Sequence, residues 1–405
     1  MLTDNNLLLL TLVLVAAVGA GWLLSAWQSR RRPGPGTRPG MSDDYFRGLN
    51  FLLNEEPDKA LEVFMRMVEV DSDTVETHFA LASLFRRRGE VDRAIRIHQN
   101  LIARPSLSRP HREQALYELG EDYMRAGLFD RAESLFVEIS KTGLYVASAL
   151  RHLMAIYEQQ NDWDQAAAAA QRLELVDGHS QRRVIAHYWC ELAERAEETG
   201  QRKRALQLVQ KALASDGGSA RPGILKAELL DADGDTKGAL KTYQQVVEND
   251  PAFAGEVLSA IAQCYRRLGD GDRFDAYLQR LRTNLPATVP YVAFAAFHQP
   301  GLHSREILAF VAHYLETRGR GLARLLDKLV EQRSLDPELE MDEARQLVRV
   351  LLEDHPRFLC GECGLTANAL FWQCPSCRRW STIRPNVEIP YSPSASALPE
   401  GTARR

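Results

Sequence analysis

Cysteine is scarce in this chain, six among 405 residues. The motifs of the common enzyme chemistries are missing. There is no P-loop, nucleophile elbow, H-E-x-x-H helix or kinase series, and the ten histidines are scattered. A basic excess is missing too: 50 Lys and Arg against 54 Asp and Glu leave a formal charge of −4. That is the wrong sign for a general nucleic-acid or anionic-membrane binder. With 45% apolar and 26% charged residues the chain can bury a large core, which excludes disorder as its main state. These absences point away from an enzyme and toward a scaffold.

The cysteines that are present are concentrated. Cys360, Cys363, Cys374 and Cys377 form two C-x-x-C pairs, CGECG and CPSC, with ten residues between them. Two such loops facing each other supply the tetrahedral sulfur set that zinc or iron favours. A pair of disulfides is the competing reading, and a reducing cytosolic location speaks against it. Residues 356–384 are too few for a self-sufficient core, so one bound metal ion would supply most of the folding free energy. Arg357, Arg378, Arg379 and Arg384 are expected to offset the thiolate charge. Phe371, Trp372 and Trp380 are expected to press this unit against the last helical repeats as a cap. Cys190 and Cys264 sit in apolar helical stretches and read as packing residues.

At the other end, residues 7–27, LLLLTLVLVAAVGAGWLLSAW, carry no charge. At about 1.5 Å per residue this stretch covers roughly 31 Å, enough for one transmembrane helix within residues 1–29. Arg30, Arg31 and Arg32 follow it, so the positive-inside rule leaves the bulk of the chain in the cytoplasm. A cleaved signal peptide would want a basic start and a small-residue cleavage site, and neither is present. Residues 30–41, rich in Pro, Gly and Arg, read as a cytoplasmic linker, and residues 385–405 as a flexible tail.

Between these ends the chain repeats itself. Ala60 and Ala94 are 34 residues apart, as are Ala132 and Ala166, and Ala205 and Ala239. A turn residue follows seven positions after each small residue of a preceding helix, as in Ala82 to Gly89, Gly120 to Gly127, Ala193 to Gly200, Ala227 to Gly234 and Ala262 to Gly269, with Asn161 in the same slot. This pattern resembles the tetratricopeptide repeat, a helix–turn–helix unit. It runs over residues 42–283, with degenerate helical pairs expected over 284–355. The fold class expected is therefore an all-α tetratricopeptide-repeat solenoid, preceded by one transmembrane helix and followed by a small four-cysteine metal-binding domain. If that family's groove positions carry over, Phe79, Arg86, Arg87, Tyr117, Arg125, Arg266 and Arg267 are candidates for partner binding, with an acidic section at Glu194, Glu197, Glu198 and Asp231 between them.

CGECG and CPSC resemble the two knuckles of rubredoxin, which makes iron the first choice of metal and zinc the alternative. The span, the repeats and this ending together, with the stretches GEVDRAIRIHQNLI (89–102), DYMRAGLFDRAESLF (122–136) and CGECGLTANALFWQCPSCRRWSTIRP (360–385), resemble the lipopolysaccharide assembly protein B family of Gram-negative bacteria. The resemblance implies an inner-membrane adaptor without chemistry of its own. Its partners would be the deacetylase of the lipid A pathway, the membrane AAA+ protease that degrades it, an inner-membrane lipopolysaccharide sensor and other assembly proteins. The rival classes are a rubredoxin-like electron carrier on a repeat scaffold and, last, a zinc-ribbon nucleic-acid module.

Overall fold

Each helical pair exists because one helix alone cannot bury its apolar stripe. A computed structural model describes residues 43–54, 56–70, 74–141, 143–298 and 356–387. The chain divides into two compact units at Ala132. The first contains α1 (Asp43–Leu53), α2 (Pro57–Val70), α3 (Val75–Arg87), α4 (Val91–Ile102), α5 (Arg109–Arg125) and the start of α6 (Phe129–Ile139). The second continues with α7 (Val146–Gln160), α8 (Trp163–Asp177), α9 (Arg182–Glu198), α10 (Arg202–Ser215), α11 (Ala220–Ala232) and α12 (Thr236–Asn249). A 3-10 turn (Pro251–Phe253) leads into α13 (Ala254–Arg267) and α14 (Gly271–Asn284), and a second (Pro286–Thr288) into α15 (Val289–His298). Strands β1 (Phe358–Cys360), β2 (Thr366–Ala367) and β3 (Ile383–Pro385) close the described chain.

The turns inside the pairs share one geometry. Gly89, Gly127, Gly200, Gly234 and Gly269 all have positive φ, and Asn161 takes the same left-handed conformation at 56°. The residue after each turn sends its N–H back to the carbonyl five positions earlier, as from Glu90 to Phe85 (2.9 Å), Asp162 to Tyr157 (2.8 Å) and Asp270 to Tyr265 (3.0 Å). This bond closes the first helix of a pair and aims the chain into the second. Asp162 and Asp235 then cap the second helices by accepting from the N–H groups of Gln165 (3.2 Å) and Gly238 (2.9 Å).

Small residues let the helices approach. Ala60, Ala94, Ala132, Ala166, Ala205 and Ala239 are fully buried, so a larger side chain at any of them would meet a neighbour. At Gly48 even a Cβ would lie 2.7 Å from the Phe64 ring. Charged side chains join successive repeats at roughly one repeat of sequence separation. Arg86 on α3 reaches Glu118, Glu121 and Asp122 on α5 (2.6, 3.2 and 2.9 Å). Arg267 on α13 reaches Asp231 on α11 (2.6 Å), and Arg280 on α14 reaches Glu248 on α12 (3.1 Å). Asp122 is fully buried and also bonds His98 Nδ1 at 2.6 Å. Such a desolvated network is costly to break from one side only.

The expected transmembrane segment lies outside the described residues, as does residue stretch 299–355 with most of the expected degenerate pairs. Among the described residues no helix is long and apolar enough to cross a membrane.

Candidate metal centre and its seat on the repeats

The cysteine unit is a three-stranded antiparallel sheet in the order β2-β1-β3, with Phe358 opposite Ala367 and Cys360 opposite Ile383. Its own core is small: Phe358, Cys360, Cys374 and Ile383. Both knuckles fold alike. Gly364 N–H bonds the Cys360 carbonyl (3.0 Å) and Arg378 N–H bonds the Cys374 carbonyl (2.8 Å). Each donor residue has positive φ, 73° at Gly364 and 60° at Arg378. The first knuckle thus meets the left-handed requirement with glycine, and the second meets it with an arginine at some cost in strain.

The four sulfurs converge. All lie within 4.8 Å of one another, with Cys360 to Cys377 at 3.8 Å and Cys363 to Cys374 at 3.7 Å. A tetrahedral set of thiolates about 2.3 Å from a metal has edges of about 3.8 Å, so the donor set fits one ion. Both zinc and iron accept four sulfurs in this geometry. The Thr382 hydroxyl, 3.3 Å from Cys360 Sγ, and backbone N–H groups pull the Cys360 thiol down to about 6, while burial pushes the Cys374 thiol up to about 11; a bound metal needs both as thiolates. Cys190 and Cys264 are buried and free, far from this centre in sequence. Burial pushes the Cys190 thiol up to about 12, consistent with an inert packing residue.

The ribbon meets the last described helices, as expected of a cap, with Val387 in the cluster that includes α13 and α15, and it also reaches farther back along the repeats. It lies along the side formed by α7, α9, α11 and the start of α13, with Trp380 and Trp372 as its two anchors. Trp380 Nε1 donates to Glu158 Oε1 on α7 (2.9 Å), and Gln373 donates to the other oxygen (3.1 Å). Tyr188 of α9 gives its hydroxyl proton to the same carboxylate. The Trp380 ring stacks on His187 (centroids 5.0 Å apart) and meets Trp163 and Tyr188 edge-on. Trp372 stacks on Phe253 at 5.6 Å. Arg221, from the first turn of α11, sits between the two indoles, about equally far from both (5.8 and 5.9 Å). Its guanidinium is held by Glu191 (2.7 Å) and Glu194 (2.9 Å).

Three of the arginines expected to neutralise the sulfurs are engaged elsewhere. Arg357 pairs with Glu256 on α13 (3.4 Å) and Arg384 with Asp250 (2.6 Å), so both fasten the ribbon to the helices. Arg379 pairs with Glu362 inside the ribbon (2.6 Å), and Arg378 is exposed. Phe371, expected to press on the repeats, is 42% exposed. The described ribbon also extends past Pro385, where a loose tail was expected to begin, because Val387 is buried with the cluster formed by α11 to α15.

Burial shapes the electrostatics at this seat. His187 is almost fully enclosed, and burial, with Arg221 and Arg183 beside it, pushes it down to about 3, so it is neutral and bonds Ser381 Oγ through Nε2. Burial also raises the Glu194 carboxyl against the pull of Arg221. Burial alone would lower Arg221, but Glu194 and Glu191 outweigh it and keep the guanidinium charged.

The partner-binding candidates fall in two places. In the first unit Arg86 is engaged with three carboxylates, Tyr117 donates to Glu121 (3.0 Å), and the Phe79 ring lies against His98 and His111, while Arg87 and Arg125 are exposed. In the second unit Arg267 pairs with Asp231, and Arg266 is exposed. Part of the acidic section is likewise neutralised from within, Glu194 by Arg221 and Glu197 by Arg202 (2.8 Å), while Glu198 is exposed. Sequence reasoning missed Glu158, His187 and Arg221 as the seat of the ribbon. The one available signal was Arg221 beside Pro222 in the first turn of its helix.

Repeats that carry a four-cysteine metal ribbon on their helices define a class, the tetratricopeptide-repeat scaffolds with an integral metal domain. Family models agree: a rubredoxin metal binding domain matches residues 358–385, and tetratricopeptide repeats match 77–113, 117–180 and 196–264. Lipopolysaccharide assembly protein B of Escherichia coli K12 is 35% identical over 93% of this chain and 97% of its own length. The protein of that name from Haemophilus influenzae is 29% identical over 93% of this chain and 98% of its own. The chain belongs to the lipopolysaccharide assembly protein B family.

Proposed function

We propose that this protein is an adaptor in lipopolysaccharide assembly, tethered to the inner membrane by residues 7–27 and working on the cytoplasmic side. Its task would be to present the deacetylase of the lipid A pathway to the membrane AAA+ protease, under the influence of an inner-membrane lipopolysaccharide sensor and other assembly proteins. The observation that carries the reading is the end-to-end similarity to relatives named for lipopolysaccharide assembly. The seat of the ribbon supports it. Glu158, His187, Arg221 and Phe253 come from four successive helical pairs or their joints, so the metal domain ties repeats together. That arrangement suits a stiff scaffold. Membrane tethering would raise the effective concentration of a soluble client beside a membrane-bound protease.

The test is crosslinking in cells, with partners identified by mass spectrometry and deacetylase half-life followed in parallel. The reading expects the deacetylase and its protease among the crosslinked proteins, and a longer deacetylase half-life when residues 1–29 are deleted. An unchanged half-life in that truncation would refute the tethering role.

A further inference from the structure

The second unit carries a basic groove away from the metal ribbon. Of the eight lysines in the chain, five fall within residues 203–241. Two of them, Lys226 on α11 and Lys241 on α12, line an open groove of about 420 Å³ between these helices. Lys237 stands one turn before Lys241 on the same helix. The remaining polar lining consists of Ser219, Thr242, Gln245 and Asn249, and no carboxylate lines the groove. Several acidic residues near in sequence are already engaged. Asp216 faces Arg183 (3.7 Å), Asp235 caps Gly238 (2.9 Å) and Glu248 pairs with Arg280 (3.1 Å). Among the described residues Lys226, Lys237 and Lys241 have no ion-pair partner, unlike the arginines that bridge the repeats.

The shape selects among anions. The lining runs along α11 from Ser219 to Leu230, about 16 Å at 1.5 Å per residue, the length of about five residues of extended peptide. Gly223 keeps the floor low, since a Cβ there would lie 2.5 Å from Val246 Cγ2. Amide and hydroxyl groups along the walls can pair with a peptide backbone, while the lysines take carboxylate side chains. We propose that this groove binds an extended acidic peptide segment of a partner protein. The proposal does not depend on the adaptor reading, because binding at the groove can be measured whatever proteins the chain joins.

Fluorescence anisotropy of a labelled hexaglutamate peptide, titrated with the full chain in uncharged detergent micelles, tests it. Saturable binding at low salt is expected, and it should weaken as salt screens the lysines. A hexaglutamine peptide should bind at least about tenfold more weakly, and so should hexaglutamate to the Lys226→Ala, Lys241→Ala double variant. Lys241→Ala alone, at an exposed position, gives an intermediate loss without risk to folding. The proposal is overturned if hexaglutamate does not saturate, if the double variant binds like the parent, or if inorganic phosphate displaces the peptide as well as free hexaglutamate does. The last outcome would assign the groove to phosphate.

Discussion

Replacing Trp380 with alanine should weaken metal binding, although the side chain is not a ligand. With a core of four residues the ribbon is expected to draw most of its folding free energy from the metal, so whatever stabilises the docked ribbon also stabilises the metal-bound state. Trp380 contributes a stacked contact to His187, two edge-on contacts and a hydrogen bond to Glu158. Truncating a well-packed tryptophan costs about 3–5 kcal/mol, and the lower end applies because Trp380 is half-buried. At about 1.4 kcal/mol per decade, a loss of about 3 kcal/mol is roughly a hundredfold in metal affinity. Chelator competition under reducing conditions reads this directly. Phe371→Ala serves as the control, because that ring is 42% exposed and its removal should change affinity by less than about threefold. The reasoning fails if Trp380→Ala retains metal as tightly as the parent, or if the two variants lose it equally.

Arg221→Met would leave Glu191 and Glu194 without their buried cation, and we expect a loss of about 3–5 kcal/mol in urea unfolding of the metal-loaded protein. A loss under about 1 kcal/mol would show the cluster to be solvated. His187, held down to about 3 when folded, binds a proton in the unfolded chain from about pH 6.5 downward, so its contribution is intact above pH 6.5 and is lost as pH falls toward 3. Between pH 6.5 and 5.5 the parent should lose about 1 kcal/mol more than His187→Gln at equal metal occupancy, and parallel pH curves would contradict this. Gly255→Ala places a Cβ 2.6 Å from the Tyr291 carbonyl oxygen, a backbone atom that cannot swing away, so about 1–3 kcal/mol should be lost in thermal unfolding. Gly89→Ala meets no neighbour but must hold φ at 82°, so its cost should be smaller, about 1 kcal/mol. Equal Tm shifts for the two glycine variants would count against the close approach of α13 and α15.

The parts of this molecule that were legible in sequence are those set by local rules. The left-handed turn at Gly89, Gly127, Gly200, Gly234 and Gly269 and the buried alanines of the second helices follow from short-range geometry, and so do the two cysteine knuckles. How far back along the repeats the ribbon reaches was not legible, because Glu158 and His187 look like any polar residues on a helix and only the stacking of adjacent pairs brings them to one place. The expectation of a groove divided into basic and acidic sections treated each charge as free. Arg86, Arg221 and Arg267 instead find their carboxylates about one repeat away, a pairing that becomes visible only when opposite charges are compared at a spacing of 30–36 residues. Trp372 and Trp380 were recognised as surface that so small a domain cannot bury, but their partners lie about 120 to 220 residues earlier, beyond any local pattern.

The central claim is that the metal-bound ribbon is part of the repeat scaffold, held by helices of several pairs. Amide hydrogen exchange before and after stripping the metal with a chelator under reducing conditions tests it most directly. The account predicts faster exchange around Glu158, His187 to Glu194, Arg221 and Phe253 as well as in the ribbon, with α1 to α4 unchanged. Faster exchange confined to residues 356–387 would contradict it.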